Sequence, residues 1–136
     1  MSRDWAADIW RMHKHYGVHP VIDKMNGDTL KKFLEFRINF LQEELDELKA
    51  NKHNPEEIVD ALIDLCVVAI GTLDCFDVDS HAAWDEVLKA NMNKTPGVKA
   101  TRPNPLGLPD LIKPEGWTAP SHVGNHGLFT KMVNGD

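Results

Sequence analysis

The sequence predicts an all-α fold, a four-to-five-helix bundle followed by an irregular, proline-rich C-terminal arm. Three observations carry this. Four segments before residue 96 repeat their apolar residues at helical spacing. Nothing alternates with period two over a useful length, so strands are not expected. Six of the eight prolines lie at Pro96 or beyond, mixed with glycines, a composition that breaks regular structure. The organisation expected is a helical core over 1–95 and an arm over 96–136, packed on the same domain or on a neighbouring subunit. A chain of 136 residues has room for one core of this kind.

The first helix is expected over about 4–16, with Trp5, Ile9, Met12 and Tyr16 on one stripe, ended by Gly17 and Pro20. A second follows the cap candidate Asp28 and runs to about Asn51, its broad apolar face formed by Leu30, Phe33, Leu34, Ile38, Leu41, Leu45 and Leu48. The third, about 55–76, opens with Pro55 and the acidic pair Glu56 and Glu57, which suit the positive end of a helix dipole. It is apolar nearly all round, as a central buried helix would be. The fourth, about 80–92, is capped by Asp79 or Ser80.

A net charge of −6 argues against a nucleic-acid polymer as partner, since binding one requires a basic face. It does not exclude a single nucleotide, because a divalent ion inverts the local sign. The longest apolar run, 65–73, is too short to span a bilayer. The first ten residues carry charges and no apolar segment of the secretory kind, so cytoplasmic residence is expected. Cys66 and Cys75, nine residues apart on one helix, point in opposite directions and read as small core residues.

The acids carry the information. On a helical wheel at about 100° per residue, Glu44 falls inside the apolar arc. Leu30, Leu34, Leu41 and Leu48 lie on one side of it and Phe33 and Phe40 on the other. Arg37 stands beside it and Glu47 at its edge. The third helix repeats the anomaly, with Asp60 and Asp64 stacked at i and i+4, and Glu57 one turn earlier, among Ile58, Val59, Leu62 and Ile63. An uncompensated carboxylate there costs several kcal/mol. A solvated acidic face is one reading, and ion pairs with Arg37 or Lys94 are another, although one arginine cannot balance four acids. The third is a hard divalent cation, Mg²⁺ or Mn²⁺, held by oxygen ligands on facing helices with positions left for phosphates. Asn91 and Lys94 at the end of the fourth helix, with Lys99 and Arg102 beyond, offer an amide and three cations to phosphate oxygens. His13, His15 and His19 are expected at the surface, since i and i+2 do not share a helical face. Trp5, Trp10, Phe33 and Phe36 are candidates to stack on a base, or equally to pack in the core.

The runs 40–50 (FLQEELDELKA), 57–65 (EIVDALIDL) and 89–94 (KANMNK) resemble the MazG-like, all-α NTP pyrophosphohydrolases. These include dimeric dUTP pyrophosphatases and phosphoribosyl-ATP pyrophosphohydrolases. The similarity covers about 33–111 and is closest to short phage and bacterial members, including the phage MazZ type directed at (d)GTP. It implies the all-α NTP pyrophosphatase bundle and hydrolysis of a (d)NTP, with purines and (d)GTP as the first candidates, to monophosphate and pyrophosphate. Two or three Mg²⁺ or Mn²⁺ ions are implied with it; a homodimer or homotetramer is expected because the near-wholly apolar third helix has more apolar surface than one small bundle covers. The EExxE signature falls on Glu43, Glu44 and Glu47, with metal ligands at Glu44 and Glu47, and Glu43 or Glu47 as base. The ExxD signature matches Glu57 and Asp60 by letter. Counted back from the helix end, Asp64 takes the aspartate position and Ala61 the glutamate one. The ligands are therefore drawn from Glu57, Asp60 and Asp64, with Asp60 and Asp64 preferred. Arg37, Asn91, Lys94 and Lys99 are the substrate-binding candidates. A non-catalytic helical scaffold that binds nucleotide stays open as the alternative.

Overall fold

The computed structural model describes residues 3–101 and 106–135. Its regular structure is mostly helical, with six helices and one small sheet among the described residues, so the all-α expectation holds. The chain divides into two compact units, one of 1–80 with 124–136 and one of 81–123. The segment after Pro96, expected to be a single irregular arm, is thus shared between them.

The first unit is built from α1 (Trp5–His15), α2 (Val18–Asp23), α3 (Gly27–Ala50), α4 (Pro55–Cys75) and α6 (Phe129–Asn134). Asp4 caps α1 by accepting from the Ala7 N–H at 3.0 Å. The buried face of α1 carries Ile9 and His13, whereas Trp5, Met12 and Tyr16 are exposed. The expected stripe is therefore rotated by about one residue. Gly17, at φ +69°, turns the chain into α2, a helix absent from the sequence reading. Pro20 stands in its first turn, where the missing N–H costs nothing. The cap of α3 is Asn26, accepting from Thr29 N–H at 2.9 Å, rather than Asp28. Asn54 caps α4 and Pro55 opens it.

α3 and α4 form an antiparallel hairpin. Its N-terminal α3 end and C-terminal α4 end enclose the core of Ile22, Leu30, Cys75 and Phe76, with Phe33, Leu34, Leu128, Phe129 and Met132 packed around it. Phe76 is fully buried, stacked on Phe129 at 4.0 Å and on Phe33 at 5.8 Å. Leu128 N–H donates to the Phe76 carbonyl at 2.6 Å. A Cβ on Gly127, whose φ is +50°, would stand 1.9 Å from that carbonyl oxygen, so the approach needs glycine. Far from being buried all round, α4 leaves Val59 (62%), Leu62 (47%) and Ile63 (45%) exposed in the single chain.

The second unit holds α5 (Ser80–Met92), which starts at the boundary, and an antiparallel pair, β1 (Thr95–Gly97) and β2 (Asp110–Ile112). The register pairs Thr95 with Ile112 and Gly97 with Asp110. These strands were not expected from the sequence. At three residues each they are too short to show an alternation, and Pro96 is tolerated because a two-stranded sheet is all edge. Asp110, buried, accepts from Lys99 N–H at 2.9 Å. Among the described residues no helix is long and apolar enough to cross a membrane.

Candidate metal centre on the α3–α4 hairpin

The hairpin brings Glu44 of α3 into the company of acids from both helices. Burial first, then the negative charges of Glu47, Asp64, Asp60 and Glu43, push the Glu44 carboxyl above its ordinary value. Its Oε2 is buried and has no hydrogen-bond partner among the described residues. Asp64 is half-buried, while Glu43, Glu47, Glu57 and Asp60 are exposed. Among the described residues, no three of Glu44, Glu47, Asp60 and Asp64 bring ligand atoms within 4.8 Å of one another. The helices nonetheless bring Glu43, Glu47, Asp60 and Asp64 near enough for their charges to act on the half-buried Glu44 carboxylate.

Arg37 takes a different part from the one the wheel suggests. Its Nε donates to Thr72 Oγ1 at 2.9 Å and its Nη2 to the Val68 carbonyl at 3.0 Å, and it forms no ion pair with the acids among the described residues. It lies over the rings of Phe33 and Phe40. Arg37 is thus a clamp between the helices that carry the acids. Gly71 makes the room, because a Cβ there would stand 2.6 Å from Nη2. Sequence reasoning missed Gly71, whose only signal is an isolated glycine inside a long helix.

Asn91, Lys94 and Lys99 belong to the second unit. Asn91 is exposed and Lys94 and Lys99 half-buried. The ammonium groups of Lys94 and Lys113 lie 5.3 and 5.0 Å from the Trp117 ring centre, and the Trp117 indole N–H donates to the Ala90 carbonyl at 2.8 Å. A cavity of about 310 Å³ opens beside them, lined by Glu86, Lys89, Asn93, Trp117 and Pro120 among others. Arg102 lies outside the described residues. Of the stacking candidates, Trp5, Trp10 and Phe36 are exposed, whereas Phe33 is committed to Phe76. The expectation for the histidines fails at His13, which is 7% exposed. It shares the inward face of α1 with Ile9, one turn away, and that spacing was legible.

The model of the phosphoribosyl-ATP pyrophosphohydrolase family matches residues 24–91, half of the chain. The chain belongs to that family. It lies within the MazG-like all-α NTP pyrophosphatase superfamily, so this family member is a pyrophosphohydrolase of nucleotide-like substrate, a hydrolase acting on acid anhydrides. No curated protein matches the chain. The family match contains α3 and α4 whole, with all the acids above, and ends at Asn91. α1, α2, Lys94, Lys99 and Trp117 fall outside it. The family is divalent-metal dependent, and the donor set on the hairpin fits such an ion. The acids offer hard oxygen ligands, and one carboxylate oxygen, Glu44 Oε2, is buried without a hydrogen-bond partner among the described residues.

Proposed function

We propose that the chain hydrolyses a nucleoside triphosphate between its α and β phosphates, giving a nucleoside monophosphate and pyrophosphate. Glu44, Glu47, Asp60 and Asp64 would hold Mg²⁺ or Mn²⁺, in two or three ions. The observation that carries this is the orphaned Glu44 Oε2 among four other acids. When bound, such ions supply charge neutralisation on the phosphates and activation of water. Glu43 or Glu47 orients that water and accepts its proton as the new oxygen–phosphorus bond forms. The bond from the α-phosphorus to the bridging oxygen breaks, and pyrophosphate leaves. Arg37 keeps α3 against α4 so that the carboxylates stay within reach of one another. Asn91, Lys94 and Lys99 are proposed to hold phosphate oxygens, an electrostatic and positioning role.

For the base, a purine is proposed, with GTP and dGTP the first to try. A second reading, phosphoribosyl-ATP as substrate, is favoured by the family model itself. A panel of the eight common NTPs and dNTPs with phosphoribosyl-ATP, incubated with Mg²⁺ and read for pyrophosphate, separates the two. Monophosphate plus pyrophosphate is the expected outcome. Release of diphosphate and orthophosphate, or nucleotide affinity with no product, overturns the proposal.

A further inference from the structure

A second cluster of ligand-type side chains lies at the other end of α4. His13 from α1, His19 from α2 and Asp74 from α4 present one ligand atom each, all within 4.8 Å of one another. His13 Nδ1 is 2.6 Å and His19 Nε2 2.8 Å from the same carboxylate oxygen, Asp74 Oδ2. Asp74 is ten residues beyond Asp64, which along a helix is about 15 Å, so this cluster is distinct from the acids of the α3–α4 hairpin. Two of its three residues also lie outside the stretch matched by the family.

We infer that His13, His19 and Asp74 form a binding site for a first-row transition-metal ion of the zinc class. The ligand chemistry separates it from the hairpin site. Two imidazoles and one carboxylate suit Zn²⁺ and its neighbours, whereas an all-carboxylate set suits Mg²⁺ or Mn²⁺. The spacing is close. Ligands about 2.1 Å from one ion in the tetrahedral arrangement usual for zinc stand about 3.4 Å apart, so separations of 2.6 and 2.8 Å need to open by about 0.6–0.8 Å. A fourth donor is close, the Cys75 thiol, whose Sγ lies 3.9 Å from His13 Nδ1. Three ligands on three helices do not meet through local sequence. His13 is buried, Asp74 nearly so, and His19 keeps 26% of its side chain exposed, which leaves a way in for the ion. The Trp10 ring packs against His19 at 5.8 Å and orients it. Binding requires lone pairs at His13 Nδ1 and His19 Nε2, so each neutral imidazole carries its one ring proton on the nitrogen turned away from the ion.

The test is zinc titration by calorimetry, in excess Mg²⁺, of the full chain freed of metal. A Glu44→Gln, Glu47→Gln background removes two of the four proposed hairpin ligands, and the excess Mg²⁺ competes for the remaining pair, Asp60 and Asp64. One Zn²⁺ per chain is expected in that background. Adding His19→Ala or Asp74→Asn should weaken it by at least about 10- to 100-fold, the loss typical of even an outer-shell partner. His19 is partly exposed, so its truncation keeps the test usable if His13→Ala unfolds; circular dichroism checks each variant. Co²⁺ in place of Zn²⁺ should give a visible absorption band that His19→Ala removes. Unchanged zinc binding in both His19→Ala and Asp74→Asn, or none in the Glu44→Gln, Glu47→Gln background, overturns the inference. The triad is then a hydrogen-bonded lock of α1 and α2 onto α4. No readout uses pyrophosphate release, so this result and the failure of the proposed hydrolysis are told apart.

Discussion

Glu44 shows how a residue can be placed against its own preference. A carboxyl whose value is raised on folding keeps its proton more tightly in the folded chain than in the unfolded one. Its contribution to stability is therefore full below the ordinary carboxylate range and is lost as pH climbs through that range towards the raised value. Metal-free protein should accordingly lose stability as pH rises upward from the ordinary carboxylate range, and Glu44→Gln should flatten that decline and raise the thermal midpoint at pH 7. The same variant should cut pyrophosphate release by at least about 100-fold. A lowered midpoint with intact turnover would contradict both. Cys75 gives a second residue-scale prediction. Burial first, and Asp74 after it, push its thiol up to about 11 despite the opposing Arg37 guanidinium. Iodoacetamide at pH 8 should label Cys66 first and reach Cys75 only on unfolding; equal rates would contradict the buried placement. The wheel found Glu44 and Asp64 because each breaks an apolar pattern on its own helix. It did not find the pairing of His13 with Asp74, since 61 residues separate them and periodicity holds no record of a partner on another helix.

At the scale of elements, the long helices were legible and the short ones were not. α3, α4 and α5 advertise themselves by caps, proline at N1 and repeated apolar spacing. α2 and α6, six residues each, hold less than two turns. Their helicity comes from what they pack against, which sequence propensity does not record. α6 matters most here. Gly127→Ala should cost about 2–4 kcal/mol in denaturant unfolding, from an unfavourable left-handed backbone and a clash with the Phe76 carbonyl. A loss below 1 kcal/mol would mean that α6 is not seated as described. Gly71→Ala should be milder, about 1–2 kcal/mol, because only the end of the Arg37 side chain has to move and give up its bond to Val68.

For the whole molecule, the apolar surface on α4 is the unresolved account. Val59, Leu62 and Ile63 stand open on the helix that carries Asp60 and Asp64, and a single chain does not cover them. We propose that a second copy does, as a homodimer or a larger assembly. Light scattering at micromolar concentration should give at least twice the 15.3 kDa chain mass, and Leu62→Glu should shift it towards one chain. A monomer in the unsubstituted protein would refute this. The sequence showed an excess of apolar residues on this helix, more than one small bundle covers, and so an expected dimer, but not which face stays open. Which face is covered from within depends on where α1 and α6 dock, and no helical wheel contains that.

The return of residues 124–136 to the first unit also bears on how the protein is made. Phe76 and Leu30 lack part of their cover until Phe129 emerges, about fifty residues after Phe76. At synthesis rates of about 5–20 residues per second, the nascent chain shows a greasy, unfinished surface for some seconds. That interval is when a chaperone would find its substrate, and when the protein is most exposed to aggregation on the ribosome.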